Sequence, residues 1–149
     1  MPRIQRLQPS DLNLFTAMLD LFSTAFDDPG SYDARRPQTE YAAKLLANPA
    51  FVALVAIENG AVIGGLAAYE LPKFEQERSE FYIYDLAVAE TWRRRRIATR
   101  LIEEVRVIAR ERGAWVIIIQ TDHGNDPAIA LYSRLGTRED VLHFDIPVD

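Results

Sequence analysis

The chain has 149 residues (16.9 kDa), 48% hydrophobic and 26% charged, which is the composition of a folded globular protein rather than a disordered tail. It has no Cys and only two His, His123 and His143. That excludes a disulfide framework, a thiolate metal site and a Cys nucleophile, and leaves little for a His-based zinc site. The formal charge is −5 at pH 7, but Arg93 to Arg112 holds eight Arg against three Glu, so that segment is +5 and the rest is −10.

The length suits one domain over 1–149 with a core of its own. The first residues lack an apolar signal core and no apolar run approaches a membrane span, so a soluble, cytoplasmic protein without a membrane partner is expected. Pro2 to Leu7 alternates weakly and predicts a short edge strand. Ser10 or Asp11 reads as an N-cap for an amphipathic helix over Asp11–Phe26, whose Leu12, Phe15, Met18, Leu19 and Phe22 recur at helical spacing. Asp27-Asp28-Pro29-Gly30 stops it. Thr39 is expected to cap a second helix with Leu45 and Leu46 inward, closed by Asn48-Pro49.

Phe51–Ile57 predicts a strand, Asn59-Gly60 a hairpin turn, and Val62–Leu71 the returning strand. After a polar connection, Glu80–Val88 predicts a third strand, rich in aromatic and β-branched residues. A helix follows the Arg run, with Ile97, Ala98, Leu101, Ile102, Val105, Ile108 and Ala109 on one stripe and Gly113 at its end. Ala114–Gln120 is a near-continuous apolar run, as expected of a fully buried strand, and completes a βαβ unit with strand 80–88. Asp126-Pro127 opens a short helix through Leu135, Gly136 ends it, and Val141–Ile146 predicts a final strand. The architecture expected is one mixed sheet flanked by helices.

The Arg run sits where a strand hands over to a helix. Free N–H groups and the helix dipole point at that loop, and four consecutive Arg, 93 to 96, add bidentate phosphate donors. A phosphate or pyrophosphate ligand is implied, although a run of this kind is also simply a solvated helix face. No P-loop and no GxGxxG is present. A single four-Arg run in a chain of pI about 5.1 is a poor nucleic-acid footprint, so no nucleic-acid partner is expected.

Two blocks resemble the GNAT superfamily of acyl-CoA-dependent N-acyltransferases. Asp85-Leu86-Ala87-Val88 followed by Arg93-Arg94-Arg95-Arg96-Ile97-Ala98 is similar to the family's strand and Arg/Gln-x-x-Gly-x-Gly/Ala loop. Asn125 to Gly136 resembles its Asn-x-x-Ala-x-x-Leu-Tyr-x-Lys-x-Gly. The resemblance covers essentially the whole chain. It implies an α/β (α+β) GNAT fold: a single mixed, mostly antiparallel sheet of six to seven strands with about four helices. Arg96 departs from the motif, which has Gly there. An Arg is expected to take an ordinary backbone conformation, with its side chain out of the pocket or gripping phosphate.

Further stretches resemble the gentamicin type of aminoglycoside 3-N-acetyltransferase. They are Ala67-Ala68-Tyr69, Leu71 to Gln76, Arg78-Ser79-Glu80, Tyr82 to Val88, Ile97-Ala98-Thr99, Asp126-Pro127-Ala128 and His143-Phe144-Asp145-Ile146. The resemblance implies acetyl-CoA as co-substrate, a cationic aminoglycoside as acceptor, no metal, and a homodimer. Leu86, Ala87 and Val88 would hold the pantetheine arm by strand pairing, and the Leu86 amide would polarise the thioester carbonyl. Arg93, Arg94, Arg95, Arg96, Ile97, Ala98 and Thr99 would hold the phosphates. Asn125 and Ala128 belong to the same cofactor set, Asn125 also being a candidate N-cap.

Tyr132 is the implied general acid and Asp85 the implied base and substrate carboxylate. Outside the motif, Tyr132 reads as a packing residue and Asp85 as an edge or ion-paired carboxylate. Glu80, Asp122 and Asp126 are the further carboxylates expected to meet substrate ammonium groups. His123 reads as a solvated loop residue, and Trp92 and Trp115 as packing residues. The alternatives within the same reading are acetylation of a polyamine, a peptide N-terminus or another small amine, and a non-catalytic CoA-binding module.

Overall fold

The computed structural model describes residues 1–149. Five strands lie in one sheet in the order β1-β2-β3-β4-β5: β1 Arg3–Arg6, β2 Phe51–Glu58, β3 Ala61–Pro72, β4 Ser79–Val88 and β5 Ala114–Ile119. The first four pair antiparallel, and β5 pairs parallel to β4. The helices are α1 Leu12–Phe26, α2 Pro29–Tyr32, α3 Thr39–Ala47, α4 Ile97–Glu111 and α5 Asp126–Leu135, with a 3₁₀ turn at Glu90–Trp92. The fold class is as expected, with five strands in place of six to seven and five helices in place of about four.

Two apolar clusters sandwich the sheet. On one face the α4 stripe (Ile97, Leu101, Ile102, Val105, Ile108) packs on Val52, Leu54, Leu66, Phe81 and Ile83. On the other, Phe15, Met18 and Phe22 of α1 and Leu46 of α3 pack on Phe51, Ala53, Val55 and Ala87. The small β3 residues set these distances. A Cβ on Gly65 would come within 2.8 Å of Met18 Cγ, so α1 lies directly on the strand backbone.

Four local expectations are corrected. α2 is a helical turn of its own, entered through Pro29 and capped by Asp28, whose Oδ1 accepts the Ser31 N–H at 3.1 Å. Thr39 is the first helical residue of α3 rather than its cap, the cap position falling on Gln38. β5 is only half-buried, with Trp115 54% exposed, because it ends the sheet instead of running through its middle. The final strand at 141–146 is not formed: residues 137–149 are exposed and in no element, since no strand of this chain pairs with them.

β4 carries the irregularity that matters for the site. Ala68 pairs with Ile83 and Ala67 with Asp85, so Tyr84 is an extra residue, a β-bulge. Phe81 and Ile83 point to the α4 cluster before the bulge, and Leu86 and Val88 do so after it. A regular strand would put Asp85 into that apolar core. The bulge turns it to the α1 face instead, on the side of Ala87.

Candidate functional site

The bulge coincides with the point where two strands part. β4 and β5 are paired only from Ser79 and Ala114 up to Ile83 and Ile119, while β4 continues to Val88. Asp85–Val88 therefore have one edge without a strand partner. The Val88 carbonyl accepts the Arg93 Nε–H at 3.2 Å, tying the start of the Arg run to the end of this strand.

Asp85 lies half-buried on the α1 face. Tyr32, from α2, donates its hydroxyl hydrogen to Asp85 Oδ2 at 2.6 Å. Tyr32 is held by edge contact with Phe22 (ring centroids 5.8 Å) and by a tilted contact with Phe26 (5.7 Å). Burial pushes the Asp85 carboxyl above its ordinary range, and the Tyr32 hydrogen bond pulls it partly back. Burial and the adjacent Asp85 charge push the Tyr32 phenol well up, so it is a donor at neutral pH. Sequence reasoning missed Tyr32. Its only local signal was the Asp-Pro-Gly stop before it, and its partner is 53 residues away.

Further along the same face Tyr69, Tyr84 and Tyr82 form a chain of rings, with centroids 6.2 Å and 5.8 Å apart. The Tyr82 hydroxyl donates to Gln120 Oε1 at 2.8 Å, bridging β4 to the end of β5.

At the head of α4 the backbone turns twice into the left-handed region, at Arg94 and at Arg96 (both φ 63°). Arg96 occupies the N-cap position and makes no side-chain cap bond. The expectation of an ordinary conformation there is corrected: Arg96 keeps the left-handed geometry that suits Gly. It is held there because Ile97 must enter the core, where it is 2% exposed. The first intrahelical bond runs from the Arg100 N–H to the Arg96 carbonyl, leaving the N–H groups of Ile97, Ala98 and Thr99 without helical acceptors.

Arg93, Arg94, Arg95 and Arg96 are exposed, Arg95 stacking over the Trp92 ring at 4.8 Å. Arg100 Nη1 is buried without a partner one turn in. The rest of the basic island divides off. Arg112 donates to Glu70 (2.8 Å) and to the Pro49 carbonyl (2.6 Å), and Arg106 pairs with Glu103 (2.7 Å).

Tyr132, on α5, is half-buried against the α4-side cluster that also takes Leu86 and Val88. Burial raises its phenol pKa, so it too carries its proton at neutral pH. Asn125 Oδ1 accepts the Ala128 N–H at 3.4 Å, making Asn125 the cap of α5 and engaging Ala128 within the chain.

The predicted carboxylates separate. Glu80 lies on the Asp85 face but about 15 Å along the strand. It is engaged by Lys73 Nζ (3.6 Å) and by the Trp115 indole N–H (3.3 Å). Trp115 is thus an exposed residue, stacked by Arg78 at 4.1 Å, and not a packing one. Asp122 and Asp126 are exposed in the β5–α5 loop and at the first residue of α5, beside exposed His123.

Residues 15–137 match the Acetyltransferase (GNAT) family. The chain is 52% identical to the crystal structure of an aminoglycoside acetyltransferase, HMB0005, from an uncultured soil metagenomic sample (TM-score 0.97, covering 100% of this chain and 99% of that one). It is 30% identical to another such enzyme, meta-AAC0020, in complex with sisomicin (TM-score 0.91, 99% and 97%). It is also 32% identical over 105 residues to the uncharacterized N-acetyltransferase YhfO of Bacillus subtilis (strain 168), covering 69% of this chain and 70% of the relative.

Proposed function

The chain belongs to the acetyltransferase (GNAT) family, and on that premise we propose that it moves acetyl from acetyl-CoA to the 3-amino group of a gentamicin-like aminoglycoside. The observation that carries the proposal is the placement of Asp85. It is a half-buried carboxylate with a raised pKa, turned by a bulge to the mouth of the parted strands, one loop away from four exposed Arg. The aminoglycoside acetyltransferases of 52% and 30% identity support the acceptor class.

The chain's residues fit acetyl-CoA. The free edge of Leu86, Ala87 and Val88 suits the amide-rich pantetheine arm, which pairs as a strand. The unpaired N–H groups of Ile97, Ala98 and Thr99, with Arg93 to Arg96, suit its phosphates. Bound acetyl-CoA supplies the activated acyl group, a thioester. Asp85 takes one proton from the substrate ammonium and so frees the lone pair with which the amine attacks, and Tyr32 holds the carboxylate in place. The Leu86 amide donates to the oxygen on which charge develops. Tyr132 gives its phenolic proton to the departing sulfur, and the second proton that the nitrogen loses as the amide forms restores the phenol. Asp122 and Asp126 meet further ammonium groups of the polycationic acceptor, Glu80 being engaged by Lys73. Acetylation removes a positive charge the drug uses to bind its target, and so confers resistance.

A thiol-release assay with acetyl-CoA and gentamicin, kanamycin, spermidine and an N-terminal peptide tests the reading. Turnover with gentamicin and none with spermidine or peptide is expected. Turnover with spermidine alone would move the assignment to a polyamine, and acetyl-CoA binding without turnover on any amine would make the chain a CoA-binding module.

A further inference from the structure

Tyr32 reaches Asp85 from α2, a helix of four residues in which no side chain is buried. A single helical turn is not stable by itself, so contacts outside α2 must hold it in place. Part of the hold is the packing of the Tyr32 ring on Phe22 and Phe26. The rest is polar and converges on one side chain. Arg36, 26% exposed, spreads its guanidinium between α2 and α1. Its Nε–H donates to the Tyr32 carbonyl. Its Nη2 donates to Asp33 Oδ1 (2.6 Å) and Asp20 Oδ1 (2.7 Å), and Nη1 reaches the Thr16 carbonyl at 3.5 Å. The other oxygen of Asp33 accepts the Ser23 hydroxyl hydrogen at 2.6 Å.

Thr16, Asp20 and Ser23 follow one another at helical spacing, so they form one edge of α1, next to the stripe that Phe15, Met18 and Phe22 bury. The ties from that edge fall on the carbonyl of Tyr32 and on the side chain of the residue after it. Partly exposed ion pairs of this kind add little to stability. What Arg36 supplies is direction, because its planar fork fixes several acceptors at once. Direction matters here: a shift of Tyr32 by about 1 Å would carry its 2.6 Å bond to Asp85 beyond hydrogen-bond range.

We propose that Arg36 is a positioning residue of the candidate site: by clasping α2 to α1 it keeps the Tyr32 hydroxyl on Asp85. Its consequence for turnover rests on the reading of Asp85 as the base; the clasp itself does not. Asp85 faces Tyr32 from α2, Tyr69 from β3, and Tyr82 and Tyr84 of its own strand. Asp28 acts on Tyr32, and the α1 residues against that ring, Phe22 and Phe26, do not titrate. Tyr32 is the one neighbour that lowers the Asp85 pKa, so loosening the clasp raises it.

The titration of the Asp85 carboxyl, followed by carboxyl-carbon NMR on the cofactor-free chain and assigned with Asp85→Asn, tests the clasp without any turnover. Arg36→Met and Asp33→Ala are each expected to move that titration to higher pH, in the direction of Tyr32→Phe and by no more. The two variants oppose each other in charge. Through space, deleting a cation raises a carboxyl pKa and deleting an anion lowers it, so an upward shift in both comes from the lost hydrogen bond. In a Tyr32→Phe background Asp33→Ala is expected to raise Asp85 no further. The Asp33 side chain is 47% exposed, so this variant decides the matter even where Arg36→Met does not fold. The acidic limb of kcat/KM is expected to move in step with the titration. A folded Arg36→Met with an unmoved Asp85 titration would overturn the clasp, as would an Asp33→Ala chain whose Asp85 pKa falls. A titration that moves while the kinetic limb stays would uphold the clasp and overturn Asp85 as the base.

Discussion

The hydroxyl of Tyr32 lies 2.6 Å from Oδ2 of Asp85, joining a four-residue helix to the bulged strand across 53 residues of sequence. Burial raises the carboxyl pKa and this bond opposes it, so the proton affinity of the proposed base is set by two opposing causes. They can be separated by mutation.

Tyr32→Phe removes the opposing cause. The Asp85 pKa then rises further, and the acidic limb of the kcat/KM profile, along which the base must lose its proton, moves to higher pH. Activity on the alkaline plateau and acetyl-CoA affinity change little, because the phenol touches neither cofactor nor leaving group. A limb that stays in place while the whole profile falls would mean that Tyr32 only supports the fold.

Asp85→Asn is expected to lower kcat by at least about 100-fold, the usual contribution of a positioned base. It is also expected to stabilise the protein. A carboxyl whose folded pKa is raised above its ordinary value of 3.8 favours the fold when protonated, and that contribution is lost as pH rises through the folded pKa. Asn cannot ionise and still accepts from Tyr32. Its Tm should therefore exceed the parent's at neutral pH, with the gap closing as pH falls below the ordinary carboxylate value. Thermal scans across pH measure this, and an equal Tm at neutral pH would contradict the burial argument.

Tyr132→Phe keeps the ring that packs against the α4-side cluster and removes the proton. A kcat loss of about 10- to 100-fold is expected, with acetyl-CoA affinity within about twofold of the parent. Isothermal titration with acetyl-CoA beside steady-state kinetics separates the two. A parallel fall in affinity would assign Tyr132 to binding.

Arg96→Gly tests the departure from the family motif. Relief of a left-handed non-Gly residue gains about 1 kcal/mol and the added chain freedom of Gly costs about as much, so stability should stay within about 1 kcal/mol. If the guanidinium holds phosphate, acetyl-CoA affinity falls about tenfold, the loss of one charge-assisted bond. Unchanged or tighter binding would show that the family's Gly geometry alone is sufficient.

The helices and strands that form one core were legible, because their apolar periods are long and each buries a face within this chain. The βαβ unit and the position of the Arg run followed from the same patterns. Even the bulge left a trace: apolar residues hold odd numbers at Phe81 and Ile83 and even numbers at Leu86 and Val88. Partners set by distant packing were not legible. Nothing near Glu80 announces that Lys73 and Trp115 occupy it, and nothing near Tyr32 announces Asp85. The C-terminal strand misled for another reason: its local alternation is that of a strand, but no strand of this chain pairs with residues 137–149.

The parting of β4 from β5 has a thermodynamic meaning. Pairing stops at Ile83, one residue before the bulge at Tyr84, so the opening is set by the backbone of β4 itself. No strand-to-strand hydrogen bond has to be broken to admit a ligand along Asp85–Val88. Association then exchanges hydration for pairing on an edge already held rigid by β3, and the free energy of binding is not diverted into prying a sheet apart. Cofactor-free and cofactor-bound protein should thus share one sheet geometry, with ligand affinity set by the contacts themselves.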